Sequence, residues 1–165
     1  AKLFDKIGPS ILMTHSMGGT IGWRTPFYTK NVKAIVALEP GGTPFLFPEG
    51  QVPTQEKTKV AILGGAAEGV SLQNFKKLTK IPILLIYGDY IPDQPSEAAG
   101  PDKWRSELEM ARKFVKAVND HGGHAELIHL PEIGGNSHFL MAEKNNQQLA
   151  HLIENWLKKN NLAGK

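Results

Sequence analysis

Ile11-Leu12-Met13-Thr14-His15-Ser16-Met17-Gly18-Gly19 runs from an apolar stretch through a serine into two glycines. It reads as a strand that turns sharply into a helix, with Ser16 at the apex. Such a turn strains the backbone of the apical residue, so its neighbours must be small, and it lifts the hydroxyl clear of the sheet. The helix N-terminus beneath it offers free N–H groups and a dipole to developing negative charge. That geometry suits acyl transfer. The pattern is G-x-S-x-G with Thr14 at the first glycine. A motif this short also fits any strand-to-helix connection that contains a serine, so the rest of the chain has to decide.

Outward from this elbow the chain alternates. Residues 1–8 read as the end of a helix closed by Gly8-Pro9, Ile11–His15 as a short strand, and 17–25 as a glycine-rich helix ended by Pro26. Val32–Leu38 is almost wholly apolar, as expected of a strand covered on both faces. Residues 41–80 are rich in Gly and Pro and read as an excursion over the sheet, with one short helix near 71–77. A third strand is expected at Ile81–Tyr87, then a proline-rich loop and a helix at Asp102–Asn119 with Leu108, Ala111, Val115 and Val118 at helical spacing. Ala125–Leu130 is a fourth strand. A glycine-rich loop over 131–137 leads to His138, and Phe139–Lys159 is a last helix with Leu149, Leu152, Ile153, Trp156 and Leu157 as its apolar face. This order implies an α/β fold with a parallel sheet and crossover helices. Function in such a sheet sits at the C-terminal ends of the strands, where Ser16, Glu39, Asp89 and His138 fall.

Composition removes several classes. With 165 residues there is enough chain for one domain with a real core. The 19 basic and 16 acidic residues leave a charge of only +3, and the basic ones are scattered without interleaved aromatics, which argues against a nucleic-acid surface. No apolar run is long enough to span a membrane. The absence of Cys excludes disulfides and thiolate catalysis, and it leaves the compartment open. The first residues lack the apolar core of a signal peptide. No cofactor motif is present. His121, His124 and His129 lie in or near regular elements, without metal-site spacing.

A serine hydroxyl needs a base, and a histidine base needs an acid to fix its tautomer. His138, on a flexible loop after the last strand, is placed to reach across to Ser16. His15, next to Ser16 on the strand, is expected to point away from the nucleophile's side. The acid is open between Asp89, after the third strand, and Glu39, after the second, with Asp93 a weaker option beyond.

T-H-S-M-G-G, V-A-L-E-P-G-G, I-P-I-L-L-I-Y-G-D-Y and G-G-N-S-H-F-L-M resemble, in that order, segments of a small branch of bacterial esterases with an α/β-hydrolase fold. The resemblance covers the chain from about Gly8 to Trp156. It implies Ser16 as nucleophile, His138 as base and Glu39 as acid, with Asp89 the fallback. Glu is also one methylene longer than Asp, which suits a group reaching the base from a neighbouring strand. The Met17 N–H would be one oxyanion-hole donor. The resemblance further implies a homodimer of the complete enzyme and export to the periplasm or medium.

An α/β-hydrolase has several strands before the nucleophile strand, and here Ser16 lies close to the first residue. Residues 1–165 are therefore expected to be the C-terminal part of one α/β-hydrolase domain, with an insertion at about 41–80. The N-terminal strands and the second oxyanion donor would come from another portion of the same enzyme, a second chain or a separately numbered segment. The expected chemistry is hydrolysis of a small-molecule carboxylic ester. The alternatives are a lactone, amide or carbon–carbon bond cleaved by the same residues, or a non-catalytic protein that binds a ligand in the same cleft.

Overall fold

A computed structural model describes residues 1–42, 44–59, 64–130 and 135–162. In chain order the elements are α1 (Lys2–Ile7), β1 (Ser10–His15), α2 (Gly18–Arg24), β2 (Val32–Leu38), β3 (Phe45–Pro48), β4 (Ala67–Val70), α3 (Leu72–Leu78), β5 (Pro82–Tyr87), α4 (Ala99–Asp120), β6 (His124–His129) and α5 (Asn146–Lys159). Single 3-10 turns follow α2 (Thr25–Phe27) and precede α5 (Leu140–Ala142).

The strands β1, β2, β5 and β6 form one parallel sheet in that order. Side chains alternate between its faces, and both faces are apolar. Ile35, Ala37, Ile83, Leu85 and Tyr87 pack into one core with Trp23, Phe45, Phe47, Phe75 and the α4 residues Leu108, Ala111 and Phe114. Ala34, Val36, Leu38, Leu84 and Ile86 face the other way, onto Leu149, Ile153 and Trp156 of α5. Each large side chain so buried contributes about 1.5–3 kcal/mol relative to exposure, so the inner strands β2 and β5 carry much of the stability. Among the described residues β1 is an edge strand, and Met13 on it is 53% exposed.

The excursion over 41–80 holds more structure than expected. Besides α3, it contains a second parallel pair, in which Phe45–Pro48 aligns with Ala67–Val70. Ala-Glu-Gly-Val carries no strand signal of its own, and its partner lies more than 20 residues earlier, so only tertiary pairing makes it a strand. The excursion also covers the start of α4, which begins at Ala99 rather than Asp102. There Asp102, Arg105 and Ser106 are buried and satisfied from 56–59: Arg105 binds Asp102 at 2.7 Å and the Lys57 carbonyl at 2.9 Å, Asp102 accepts the Lys59 N–H at 2.7 Å, and Ser106 reaches the Glu56 carbonyl. The hydrogen bond from Arg105 holds the Asp102 carboxyl below its ordinary pKa.

The last helix starts at Asn146, not Phe139. The backbone at Glu143 is extended (ψ 162°), and its carboxylate is drawn away to Ser137, so the helical pattern is interrupted. Residues 131–134 of the expected glycine-rich loop lie outside the described residues.

Candidate active site

Sheet register brings the strand ends to one level. His15 lies opposite Leu38, and Leu38 opposite Ile86, so Ser16 and Glu39 leave the sheet side by side. Both are non-glycine residues in the left-handed region, with φ of 52° at Ser16 and 39° at Glu39. Such conformations are strained and persist only where surrounding contacts over-determine them. Here they are anchored by N–H donation from Ser16 to the Leu38 carbonyl (3.0 Å) and from Glu39 to the Ile86 carbonyl (2.8 Å). The chain turns out of the sheet at each site and lifts the side chain above it.

Thr14 stands where the motif has its first glycine. Its methyl fills space that Gly22 of α2 leaves open: a Cβ on Gly22 would come within 2.9 Å of Thr14 Cγ2. The small residue has moved from strand to helix, and α2 still lies close under Ser16. The Met17 N–H, at the start of α2, has no acceptor among the described residues, while the Met17 side chain is 68% exposed.

Ser16, His138 and Glu39 meet. His138 Nδ1 lies 2.7 Å from Glu39 Oε2, and His138 Nε2 lies 2.9 Å from Ser16 Oγ. With Nδ1–H donating to the carboxylate, Nε2 carries the lone pair and accepts the serine hydroxyl. Glu39 is 3% exposed, and its other oxygen accepts the Gly88 N–H at 2.7 Å. Gly88 is essential to this packing. A Cβ there would collide with the Asn136 carbonyl oxygen and come within 2.8 Å of Glu39 Oε1.

Asp89 does not face His138. Its carboxylate accepts the backbone N–H groups of Gly135 (2.7 Å) and Asn136 (2.9 Å), and its own N–H donates to the Asn136 carbonyl (3.2 Å). It clasps the loop that carries the histidine. Glu143 holds the next residue through the Ser137 N–H and hydroxyl. Asp93 is exposed on the loop beyond.

His15 departs from expectation. Rather than pointing away, its Nε2–H donates to the His138 carbonyl at 2.8 Å, and the two rings lie 4.6 Å apart. The loop bearing His138 bends back over the end of β1, a long-range return that adjacency to Ser16 does not reveal. Sequence reasoning also missed Trp104, on α4, whose ring centroid is 4.4 Å from that of His138. Trp104 sits there because Gly41 leaves room: a Cβ at Gly41 would come within 2.5 Å of the indole. The glycine pair 41–42 was the available signal. Tyr87 closes the underside by donating its hydroxyl to the Pro40 carbonyl at 2.6 Å. Burial, then the charges of Glu107 and Glu39, push the Tyr87 hydroxyl well above its ordinary pKa, so it stays a donor.

A parallel sheet flanked by helices, with a strained serine at one strand end and a histidine on a loop returning to it, is an α/β-hydrolase fold. A solved structure described as a novel bacterial esterase superposes on this chain with a TM-score of 0.69 and 31% identity, covering 98% of this chain and 41% of its own. A probable secreted lipase, phiG, of a fungal species is 28% identical across 95% of this chain and 48% of the lipase. The chain thus spans less than half the length of either relative. No family model matches it. Among the described residues no helix is long and apolar enough to cross a membrane.

Proposed function

We propose that this chain carries the nucleophile, base and acid of a serine carboxylic-ester hydrolase that works through an acyl-enzyme. The observation that carries the reading is the unbroken line of hydrogen bonds from Ser16 Oγ through His138 to Glu39, with Ser16 held at φ 52° over the start of α2. Similarity to an esterase and a lipase supports the same bond class.

In this mechanism Ser16 Oγ attacks the ester carbonyl carbon as His138 Nε2 takes its proton. Glu39 stabilises the imidazolium through Nδ1–H, and the oxyanion faces the Met17 N–H. Collapse breaks the carbon–oxygen bond, and the alcohol leaves with the proton from His138. Water then gives a proton to His138 and attacks the acyl carbon, and Ser16 leaves with that proton restored. A single oxyanion donor is worth about 2.7–4 kcal/mol of transition-state stabilisation, so a second donor matters. We assign it to an N-terminal portion of the same enzyme, seated beside β1. There a groove of about 480 Å³ is lined by Met13, Leu38, Met141, Leu149, Ile153 and Leu157. Export belongs to the same proposal and rests on the description of the fungal relative as secreted.

Intact-mass analysis of the complete gene product with a fluorophosphonate probe tests the reading. One adduct on Ser16, absent from Ser16→Ala together with ester turnover, is the expected result. A second polypeptide in the same spectrum would identify the N-terminal portion as a separate chain. Full turnover by a folded Ser16→Ala variant would end the proposal.

A further inference from the structure

Glu107 is a buried carboxylate that the chemistry above leaves unused. It lies on α4, is 1% exposed, and accepts the Gly42 N–H at 2.8 Å through Oε1. Oε2 is buried with no hydrogen-bond partner among the described residues. The Lys103 ammonium is 3.5 Å from Oε1. Burial raises the pKa of the Glu107 carboxyl, with the Gly42 N–H, Lys103 and the nearby Gly65 N–H opposing. An anion kept in such a place costs stability unless its partners are well aligned, which directs attention to what it holds.

It holds the turn that carries Glu39. Each residue of that turn is tied. Glu39 N–H goes to the Ile86 carbonyl (2.8 Å), the Pro40 carbonyl takes the Tyr87 hydroxyl (2.6 Å), Gly41 N–H goes to the Ser16 carbonyl (3.4 Å), and Gly42 N–H goes to Glu107. The first three ties come from neighbouring strands and the elbow. The fourth comes from across the site. Gly41-Gly42 has little stiffness of its own, and Glu39 keeps its left-handed backbone only while both ends of the turn are fixed. Three residues earlier on the same helix face, Trp104 touches His138. One rigid helix therefore locates both the acid-bearing turn and the ring of the base.

We propose that Glu107 is a positioning residue: its grip on the Gly42 N–H holds the Glu39 carboxylate in line with His138. This rests on the reading of Glu39 as the acid of the serine hydrolase proposed above.

The test uses the complete gene product, an activated ester and the fluorophosphonate probe, with Glu107→Gln, Glu107→Leu and Glu107→Asp. Gln keeps an acceptor oxygen, so its kcat is expected to stay near wild type. Leu removes the acceptor, and a displacement of roughly 1 Å at a reacting group costs on the order of 100-fold. Its kcat and labelling rate should fall by about that factor with KM little changed. The acid limb of kcat/KM should move to lower pH, because the imidazolium loses its aligned partner. Asp withdraws the carboxylate by one methylene and should show the same two changes to a smaller extent, which keeps the test decisive if the Leu variant does not fold. Wild-type kcat and an unmoved acid limb in Leu or Asp would overturn the role, as would loss confined to KM or to thermal stability. Failure of the wild-type protein to label would instead overturn the serine-hydrolase reading beneath it.

Discussion

Two neighbouring strands end in an acid, and the two acids do different work. Glu39 follows β2 and Asp89 follows β5, both at the C-terminal edge of one sheet. Glu39 bends out at φ 39° and spends one oxygen on the His138 ring and the other on the Gly88 N–H. Asp89, with a shorter side chain, uses both oxygens on the backbone of the 135–136 loop. One acid touches the imidazole and the other fixes the loop that delivers it. Position at a strand end thus makes an acid available to the site, and the local turn and side-chain length decide which group it meets. The contrast also explains why Gly88 lies between them. The Glu39 carboxylate and the returning loop that Asp89 holds converge on a spot with no room for a Cβ.

The sharpest way to break the comparison is Glu39→Gln. The amide keeps an acceptor for Gly88 but not the charge behind His138, so kcat on an activated ester should drop by roughly 10⁴-fold with an unchanged melting temperature. If Asp89→Asn shows the larger drop, the two roles are reversed. Gly88→Ala strikes both acids at once. Its methyl would push the Asn136 carbonyl and the Glu39 carboxylate apart, at a cost typical of overpacking, about 1–3 kcal/mol. Chemical denaturation should register that cost, and ester turnover should fall with it. Asp89→Asn should act mainly on the loop. Each hydrogen bond to a charged group contributes on the order of 1.5–3 kcal/mol, and hydrogen exchange at Gly135 and Asn136 should speed up. The kcat loss is expected to stay near tenfold, far short of the Glu39 variant by the 10⁴-fold measure above.

The smallest effect concerns stability alone. Burial raises the Glu107 pKa in the folded state. As pH rises above the unfolded value, the unfolded chain loses its proton first and the native state still holds one. Stability therefore falls with rising pH until the folded pKa is passed. Glu107→Gln has no such slope, so its melting temperature relative to wild type should improve from mildly acidic to neutral pH. A constant difference across that range would refute the assignment.

How much of this was legible in the chain depended on the range of the interaction. β2 and β5 were readable from Val32–Leu38 and Ile81–Tyr87, because strands covered on both faces must be apolar throughout. The gathering of Ser16, Glu39, Asp89 and His138 at one end of the sheet followed from element order alone. The pair β3 and β4 was invisible, since Ala67–Val70 becomes a strand only by meeting Phe45–Pro48. His15 was misread because adjacency along the chain says nothing about a loop that returns over it from residue 138. Trp104 and Glu107 lie in what looked like an ordinary stretch of helix, and their place in the site comes from how α4 crosses over Gly41 and Gly42.

The amino-acid sequence by itself determined the parallel α/β order, the strained turn at Ser16 and the small set of polar groups able to meet above the sheet. These follow from hydrophobic periodicity and from the few residue types a sharp turn tolerates. The tertiary structure decided which acid reaches the histidine, what holds each turn, and which rings pack on the imidazole. Those choices rest on contacts of 2.7 Å (His138 to Glu39) and 4.4 Å (the Trp104 and His138 rings) between residues far apart in the chain, and only the packed fold sets them.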